Sequence, residues 1–278
     1  MELGHGDNRD LSSAEIEVEE GHELLMHNYH TLPGNCKKYW SKRYSLFSKF
    51  DDGIYMTSEL WYSVTPEEIG IFMARFVLKA IPKGKHILDV CCGAGGNAIQ
   101  FANYFSSVGC LDISTVHVNC TLHNAFIYGV EDNIWAQVDD WDRASRPLPN
   151  GSVNQDWIPP SLRNETNPNR TFDFIFSSPP WGGPSYAHGN NTFDVNLMQP
   201  FLLPQLCYQF RRYSEDYGFF LPRSLKLEQI RRLTIELYGE QGKCRIIYTS
   251  LENRCKGIFV LFGPRVTSLL LEVESVLL

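Results

Sequence analysis

Long apolar runs are missing from this chain of 278 residues. None approaches the roughly 18 residues of a membrane-spanning helix, so no membrane partner is expected. Positive charge is scarce: 25 Lys and Arg stand against 32 Asp and Glu, a net charge of −7. Proteins that grip long nucleic acids are usually basic, because neutralising phosphates dominates their affinity. A large nucleic-acid footprint is therefore not expected, whereas a single nucleotide or a chain end remains open. Metal-binding cysteine spacing is also lacking. Cys36, Cys91, Cys92, Cys110, Cys120, Cys207, Cys244 and Cys255 include no CxxC, and none stands at zinc spacing with a histidine. No metal is expected, and free thiols in a reducing compartment are. The first residues are acidic and polar, unlike a signal peptide or an Arg-rich transit peptide. No internal repeat is present.

Aromatic residues are plentiful, with 17 Phe, 13 Tyr and 6 Trp, which suggests stacking surfaces as well as a core. Charge is unevenly placed. Residues 1–30 carry eight acids, one base (Arg9) and four histidines, without hydrophobic periodicity. Residues 1–35 are accordingly expected to be an acidic, disordered tail. Lys37, Lys38, Lys42, Arg43 and Lys49 then reverse the sign. Trp40, Arg43, Tyr44 and Phe47 fall on one helical stripe, read as a docking helix with a solvated basic face. The other reading is an anion site beside an aromatic face. Thr65, Pro66 and Glu68 predict an N-cap, a first helical residue and a capping box, opening a helix to about Ala80. Residues 36–82 form a helical arm in this reading.

From residue 83 onward strands and helices alternate. Strands are expected at 86–90, 108–112, 134–138, 172–177 and 217–221, with a last pair at 244–249 and 257–262. Helices are expected at 97–105, 116–128, 197–213 and 225–238. Such alternation means an α/β fold with a mostly parallel, seven-stranded sheet covered on both faces. Residues 143–170, rich in Pro, Asn, Arg and Ser, are expected to be a long surface loop within this 83–278 core.

Two constellations carry chemistry. In Asp89-Val90-Cys91-Cys92-Gly93-Ala94-Gly95-Gly96-Asn97 a strand ends in an acid and a glycine turn opens a helix. Asp112 ends the next strand, where an acid can accept ribose hydroxyls. Asp139-Asp140 ends the third, where a carboxylate can accept from an adenine amino group. An acid ahead of the glycines repels a pyrophosphate but holds an ammonium, and Gly-x-Gly-Gly departs from the dinucleotide spacing G-x-G-x-x-G. Both features favour S-adenosylmethionine over a dinucleotide. The second constellation is Ser178-Pro179-Pro180-Trp181, after the fourth strand. Its prolines remove N–H donors, so the turn presents acceptors for an amino group, and Trp181 offers a flat face for a base.

Lys38-Tyr39-Trp40, Leu46–Ile54, Ser63-Val64-Thr65-Pro66-Glu67, the glycine turn and Ser178-Pro179-Pro180-Trp181-Gly182-Gly183-Pro184 stand in the order found in the trimethylguanosine synthase family. The resemblance spans about residues 36–263. It implies a class I, Rossmann-like methyltransferase fold. It also implies transfer of two methyls from S-adenosylmethionine to the 2-amino group of 7-methylguanosine caps on small nuclear and nucleolar RNAs. By that resemblance Asp89, Gly93, Gly95, Asp112 and Asp140 hold the cofactor, assisted by Ser63 and Thr65. Ser178, Pro179 and Trp181 are the catalytic turn, with Trp181 stacked on the methylated base. Asn124 lies near that base, and Lys38, Tyr186 and Arg223 meet the cap phosphates. The resemblance also implies residence in the nucleus, with the nucleolus as a further address. Small ribonucleoprotein partners and a monomeric state are expected. The rival readings are another nucleobase amino-methyltransferase, acting on ribosomal guanine or DNA adenine, and a non-catalytic cap-binding scaffold.

Overall fold

The computed structural model describes residues 23–181 and 192–269. Strands β1 (His86–Val90), β2 (Ser107–Asp112), β3 (Ile134–Val138), β4 (Phe174–Ser177), β5 (Tyr217–Leu221), β6 (Cys244–Leu251) and β7 (Arg254–Phe262) form one sheet. Their spatial order is β3-β2-β1-β4-β5-β7-β6. The first five run parallel, and β7 is antiparallel to both β5 and β6. The strand order reverses direction at β1/β4, the crevice where open α/β sheets bind ligands.

Side-chain alternation divides the core between the two faces. Ile87, Phe174, Phe176, Phe220 and Phe259 belong to one cluster. Leu88, Ile175, Phe219, Leu221 and Val260 belong to the other. Each fully buried side chain of this size contributes about 1.5–3 kcal/mol. The first face is covered by α3 (Glu67–Ala80), α4 (Ala98–Ala102), α5 (Thr115–Tyr128) and α9 (Pro264–Ser268), together with the arm. The second is covered by α6 (Trp141–Ala144), α7 (Leu203–Phe210) and α8 (Leu227–Tyr238).

The arm departs from expectation in three ways. First, residues 23–35 are packed, although the acidic composition predicts a tail through residue 35. Leu25 and Leu32 are buried, the Met56 N–H donates to Leu25 O, and the Ser58 N–H donates to Glu23 Oε1. Two apolar side chains suffice where the chain already lies along the arm; residues 1–22 lie outside the described residues. Second, the stripe from Trp40 to Phe47 is a 3-10 segment (Lys37–Lys42) followed by the single turn α1 (Arg43–Leu46). Its aromatics pack against each other: Trp40 stacks on Trp61, whose backbone belongs to α2 (Leu60–Ser63), and the Arg43 guanidinium lies over Trp40 and Tyr44. Third, the capping box is not formed. Helix α3 starts at Glu67 with Pro66 in the cap position. The Thr65 hydroxyl instead accepts from Asn97 Nδ2, at 3.1 Å. The Glu67 carboxylate ties the arm to α5, accepting from Ser48 Oγ at 2.8 Å and Tyr128 Oη at 2.6 Å.

Residues 143–170 are also more than a surface loop. Trp157 and Ile158 fold under Trp135, Trp141, Phe172 and Tyr213, so aromatic packing replaces regular structure there.

Candidate functional site

The carboxyl ends of β1, β2, β3 and β4 open into a cavity of about 680 Å³, which the arm closes from one side. Its wall includes Gly93, Gly96 and Asn97 from the glycine turn, Asp112 and Asp140 from the strand ends, and Ser178 to Trp181 from the turn after β4. Lys38, Ser63 and Thr65 reach it from the arm. Nine of the expected site residues therefore converge on one space, drawn from six segments of the chain. That volume is ordinary for a small-molecule site.

The turn after β1 is built for close approach. Cys91 adopts a left-handed backbone (φ 66°), and the N–H groups of Cys91 and Cys92 both donate to Leu111 O. A non-glycine residue held there costs about 1–3 kcal/mol. Gly93 (φ 56°) turns its N–H onto Asp112 Oδ2 at 3.0 Å. The other Asp112 oxygen accepts from the Ser114 N–H at 3.0 Å and faces His117 Nδ1 at 3.4 Å. Burial opposes the charge on Asp112. The bond and charge of His117, with the Ser114 and Gly93 N–H groups, outweigh it and hold the carboxyl below its ordinary value. An acid anchored from behind in this way keeps lone pairs for hydroxyls in the cavity. His117 also lines the cavity, and motif reading did not find it. The available signal was its place three residues after the helix-capping Ser114, one turn from Asp112.

Asp89 and Gly95 do not reach the wall. Asp89 is fully buried one layer below it, and neither of its oxygens has a partner of ordinary hydrogen-bond geometry among the described residues. Burial, then the charge of Asp112, push its pKa well above the usual carboxylate range, against the Ala98 N–H. A bare carboxylate sealed at the head of a glycine turn calls for a cation nearby. Gly95 serves packing: a Cβ there would meet Thr121 Cγ2 at 3.2 Å and its backbone at 3.3 Å.

Asp140 caps α6 through one oxygen, which accepts from the Asp142 N–H at 2.8 Å, while the neighbouring Asp139 is paired with Arg143. The thiols near the turn are inert, because burial pushes that of Cys91 up and the bond with Cys110, then burial, push that of Cys92 up.

On the acceptor side, Ser177 Oγ donates to Val90 O at 2.7 Å, locking β4 to β1 just before the turn. Pro179 is buried, Ser178 and Trp181 are half-buried. Trp181 Nε1 donates to Phe220 O at 3.1 Å, and its ring leans on Phe220 with centroids 5.3 Å apart. The indole is thus fixed at the cavity edge.

Asn124 is not in the cavity. Its Oδ1 accepts from the Tyr55 N–H, and its Nδ2 donates to Tyr55 O and Ala94 O, at 2.8–3.0 Å. The side chain is completely buried and its amide is fully used, so it locks the arm to the glycine turn and has no hydrogen left for a base. Asn124→Ala orphans these backbone groups, each costing about 1–3 kcal/mol. A melting temperature lowered by several degrees is expected, with the KM for the base-bearing substrate little changed in the folded fraction. A raised KM at an unchanged melting temperature would restore the base-contact role.

Arg223 lies outside the wall, exposed, with Nη1 donating to Cys255 O at 3.4 Å. It has cationic company that the sequence does not announce. Partial burial, then Lys42, Arg254 and Arg223, hold the Lys256 ammonium below its ordinary pKa, against the pull of Glu252. Four cations from the arm, the segment after β5 and the β6–β7 hairpin therefore converge. Tyr186 lies outside the described residues.

The family model for RNA cap guanine-N2 methyltransferases matches residues 84–265. The chain is 38% identical over 232 residues to the trimethylguanosine synthase of Saccharomyces cerevisiae, covering 83% of this chain and 68% of that one. It is 32% identical over 199 residues to the trimethylguanosine synthase of Schizosaccharomyces pombe, covering 72% and 75%. A solved structure of the human methyltransferase 10 domain containing protein matches with a TM-score of 0.53 at 12% identity, over 82% of this chain and 97% of that one. A putative methyltransferase from Porphyromonas gingivalis matches at 0.56 and 11%, over 85% and 51%. These two likenesses speak for the fold alone.

Proposed function

The chain belongs to the RNA cap guanine-N2 methyltransferase family, and from that membership we propose how its cavity performs cap methylation. The enzyme methylates the 2-amino group of a 7-methylguanosine cap with S-adenosylmethionine as donor. The observation that carries this reading is the meeting of the acidic strand ends and the Ser178–Trp181 turn in one cavity. The donor set fits the cofactor: bare acceptors around the glycine turn suit an ammonium, Asp112 suits a ribose diol, and Asp140 suits an adenine amino group. Bound S-adenosylmethionine supplies an electrophilic methyl.

The chain's own residues do the rest. A guanine 2-amino group is a poor nucleophile, since its lone pair is delocalised into the ring. Ser178 and Pro179 present acceptors that hold its hydrogens and stabilise charge developing on nitrogen. Trp181 fixes the base plane, and well-oriented placement supplies most of the rate. The 7-methylated base is cationic, so stacking on Trp181 gains about 0.5–2 kcal/mol over plain guanine. Prior 7-methylation is therefore favoured by roughly 2- to 30-fold. The convergent cations Lys42, Arg223, Arg254 and Lys256, with Lys38 at the wall, suit the cap phosphates. They also explain how an acidic protein handles RNA: it grips only the chain end. The clients are small nuclear and nucleolar RNAs, met in the nucleus by a monomeric enzyme alongside their ribonucleoprotein partners, and the product is the 2,2,7-trimethylated cap.

The test is direct. Purified protein is incubated with S-adenosylmethionine and either 7-methyl-GDP or GDP, and the nucleotides are weighed by mass spectrometry. Methyl additions to 7-methyl-GDP alone are expected. No addition to either, with cofactor binding demonstrated, would favour the scaffold reading.

A further inference from the structure

The arm carries a basic, aromatic surface that methylation of a mononucleotide leaves unused. Residues 31–50 hold Lys37, Lys38, Lys42, Arg43 and Lys49 and no acid, in a chain of net charge −7. Lys37, Lys38 and Lys42 belong to no ion pair among the described residues. The two readings of the stripe running through them, a docking helix and an anion site beside an aromatic face, fall on different members of it. Trp40 and Phe47 turn inward, Trp40 onto Trp61 and Phe47 into the core. Tyr44 stays 46% exposed. Exposed side chains ordinarily change rotamer within nanoseconds, but this one is held. Its hydroxyl donates to Asp51 Oδ2 at 2.8 Å and accepts from Arg43 Nη2 at 2.9 Å. The Arg43 guanidinium lies over the ring, 4.1 Å from its centroid. A fixed ring backed by a guanidinium is a platform for a nucleobase, because stacking tolerates any base and arginine adds to it.

The platform is continuous with the cap site. Lys38 and Tyr39 line the cavity. Residues three apart share a face of a 3-10 segment, so Lys42 follows Tyr39 on the face that reaches the cavity. Lys42 also meets Arg223, Arg254 and Lys256. Tyr44 stands two residues further on, in α1. We propose that the arm binds the RNA immediately beyond the cap, stacking one of the first transcribed bases on Tyr44 and holding its phosphate on Lys42. The proposal rests on the cap-methylation reading and assigns a site to the part of the substrate that a mononucleotide lacks. Asp51 sits at the hydroxyl end of the ring, where its charge repels phosphate, so the ring takes a base and the lysine takes the backbone. An acidic peptide would use the lysines alone, whereas a nucleotide uses lysine and ring together. One stacked base also keeps the footprint within what an acidic chain allows.

Methylation kinetics on 7-methyl-GTP and on a 7-methylguanosine-capped pentanucleotide test this, since both carry three phosphates. Wild type should show a KM for the pentanucleotide lower by roughly 5- to 150-fold, the worth of one stacked base. Tyr44→Ala should erase most of that gain and leave the KM for 7-methyl-GTP within about twofold of wild type, because a folding defect would move both. Tyr44→Phe loses both hydroxyl bonds but keeps the π face, so it should retain most of the gain. Tyr208 on α7 is equally exposed, at 46%, but its hydroxyl donates to Glu236, far from any cation cluster named above. Tyr208→Ala should change neither KM. Three results would overturn the proposal: no gain in wild type, which would hand the lysines to an acidic peptide; equal losses for both substrates in Tyr44→Ala; or a loss of the gain in Tyr208→Ala as large as in Tyr44→Ala. A wild type that methylates neither substrate would remove the cap-methylation reading itself. Fluorescence anisotropy of the 3′-labelled pentanucleotide then decides the surface alone: binding that Tyr44→Ala weakens upholds it, and binding that is absent or insensitive to Tyr44 overturns it.

Discussion

Trp181→Ala is expected to cut methylation of 7-methyl-GDP by orders of magnitude while leaving S-adenosylhomocysteine affinity within a few-fold of wild type. Base stacking on an aromatic ring contributes about 1–3 kcal/mol, and the cationic base adds about 0.5–2 kcal/mol. Together these set a loss in kcat/KM of roughly 10- to 5,000-fold. The residual preference for 7-methyl-GDP over GDP should shrink toward parity, because the indole face is the group that senses the methyl's charge. The structure supplies a control. Trp181 is anchored by its N–H to Phe220 O and by contact with the Phe220 ring. Trp181→Phe keeps a π face but loses the anchoring N–H, so it should recover part of the activity and of the selectivity. Steady-state kinetics on both nucleotides, with calorimetry on the same preparations, decide the matter. If cofactor affinity collapses with activity in Trp181→Ala, the indole is a structural wedge between β4 and β5 and the stacking role fails.

How far the sequence reaches can be judged residue by residue. Apolar alternation places β1, β2, β3, β4, β5, β6 and β7 to within a few residues, since period and burial are written locally. The Ser178–Trp181 turn, Asp112 and Asp140 meet in the cavity because strand ends of a parallel sheet share one edge. What escapes local reading is the use to which a polar group is put. Asn124 stands on the second helix as a candidate base contact, yet three long-range bonds to Tyr55 and Ala94 consume its amide. Thr65 and Glu68 spell a capping box, yet a tertiary bond from Asn97 to Thr65 is made instead. The cation cluster around Lys256 joins segments more than 200 residues apart, so no window of sequence displays it. Residues 23–35 show the converse: the acids that precede them outweigh two buried leucines in any average over residues 1–35, but not in the fold.

Asp89→Asn is expected to do two opposite things: stabilise the ligand-free protein at neutral pH and remove cofactor binding. The carboxyl is completely buried with only the Ala98 N–H to favour its charge, and burial with the nearby Asp112 raises its pKa well above the usual range. In the unfolded chain it titrates near about 4. Below that value both states hold the proton and folding carries no penalty. As pH rises, the unfolded chain releases the proton first, and stability is lost until the folded pKa is passed. Each pH unit in that window costs about 1.4 kcal/mol, and each 1 kcal/mol lowers the melting temperature by about 2–4 °C in a domain of this size. Asn cannot ionise, so the melting temperatures of wild type and Asp89→Asn should agree in acid and separate toward neutrality, with the variant higher. Cofactor reverses the order. A bound ammonium favours the ionised carboxylate, so S-adenosylhomocysteine should stabilise wild type, release a proton on binding and weaken as pH falls through the raised pKa. Removing one partner of a buried charge pair costs about 2–5 kcal/mol, so the variant should lose at least roughly 30-fold in affinity and all of that pH dependence. Thermal melts from pH 4 to 8, with and without S-adenosylhomocysteine, read both effects. A variant that melts lower than wild type at pH 7 and still binds S-adenosylhomocysteine would make Asp89 a cap for its own turn. The expected crossing of the two curves identifies a group kept unsatisfied in the free protein because the ligand completes it.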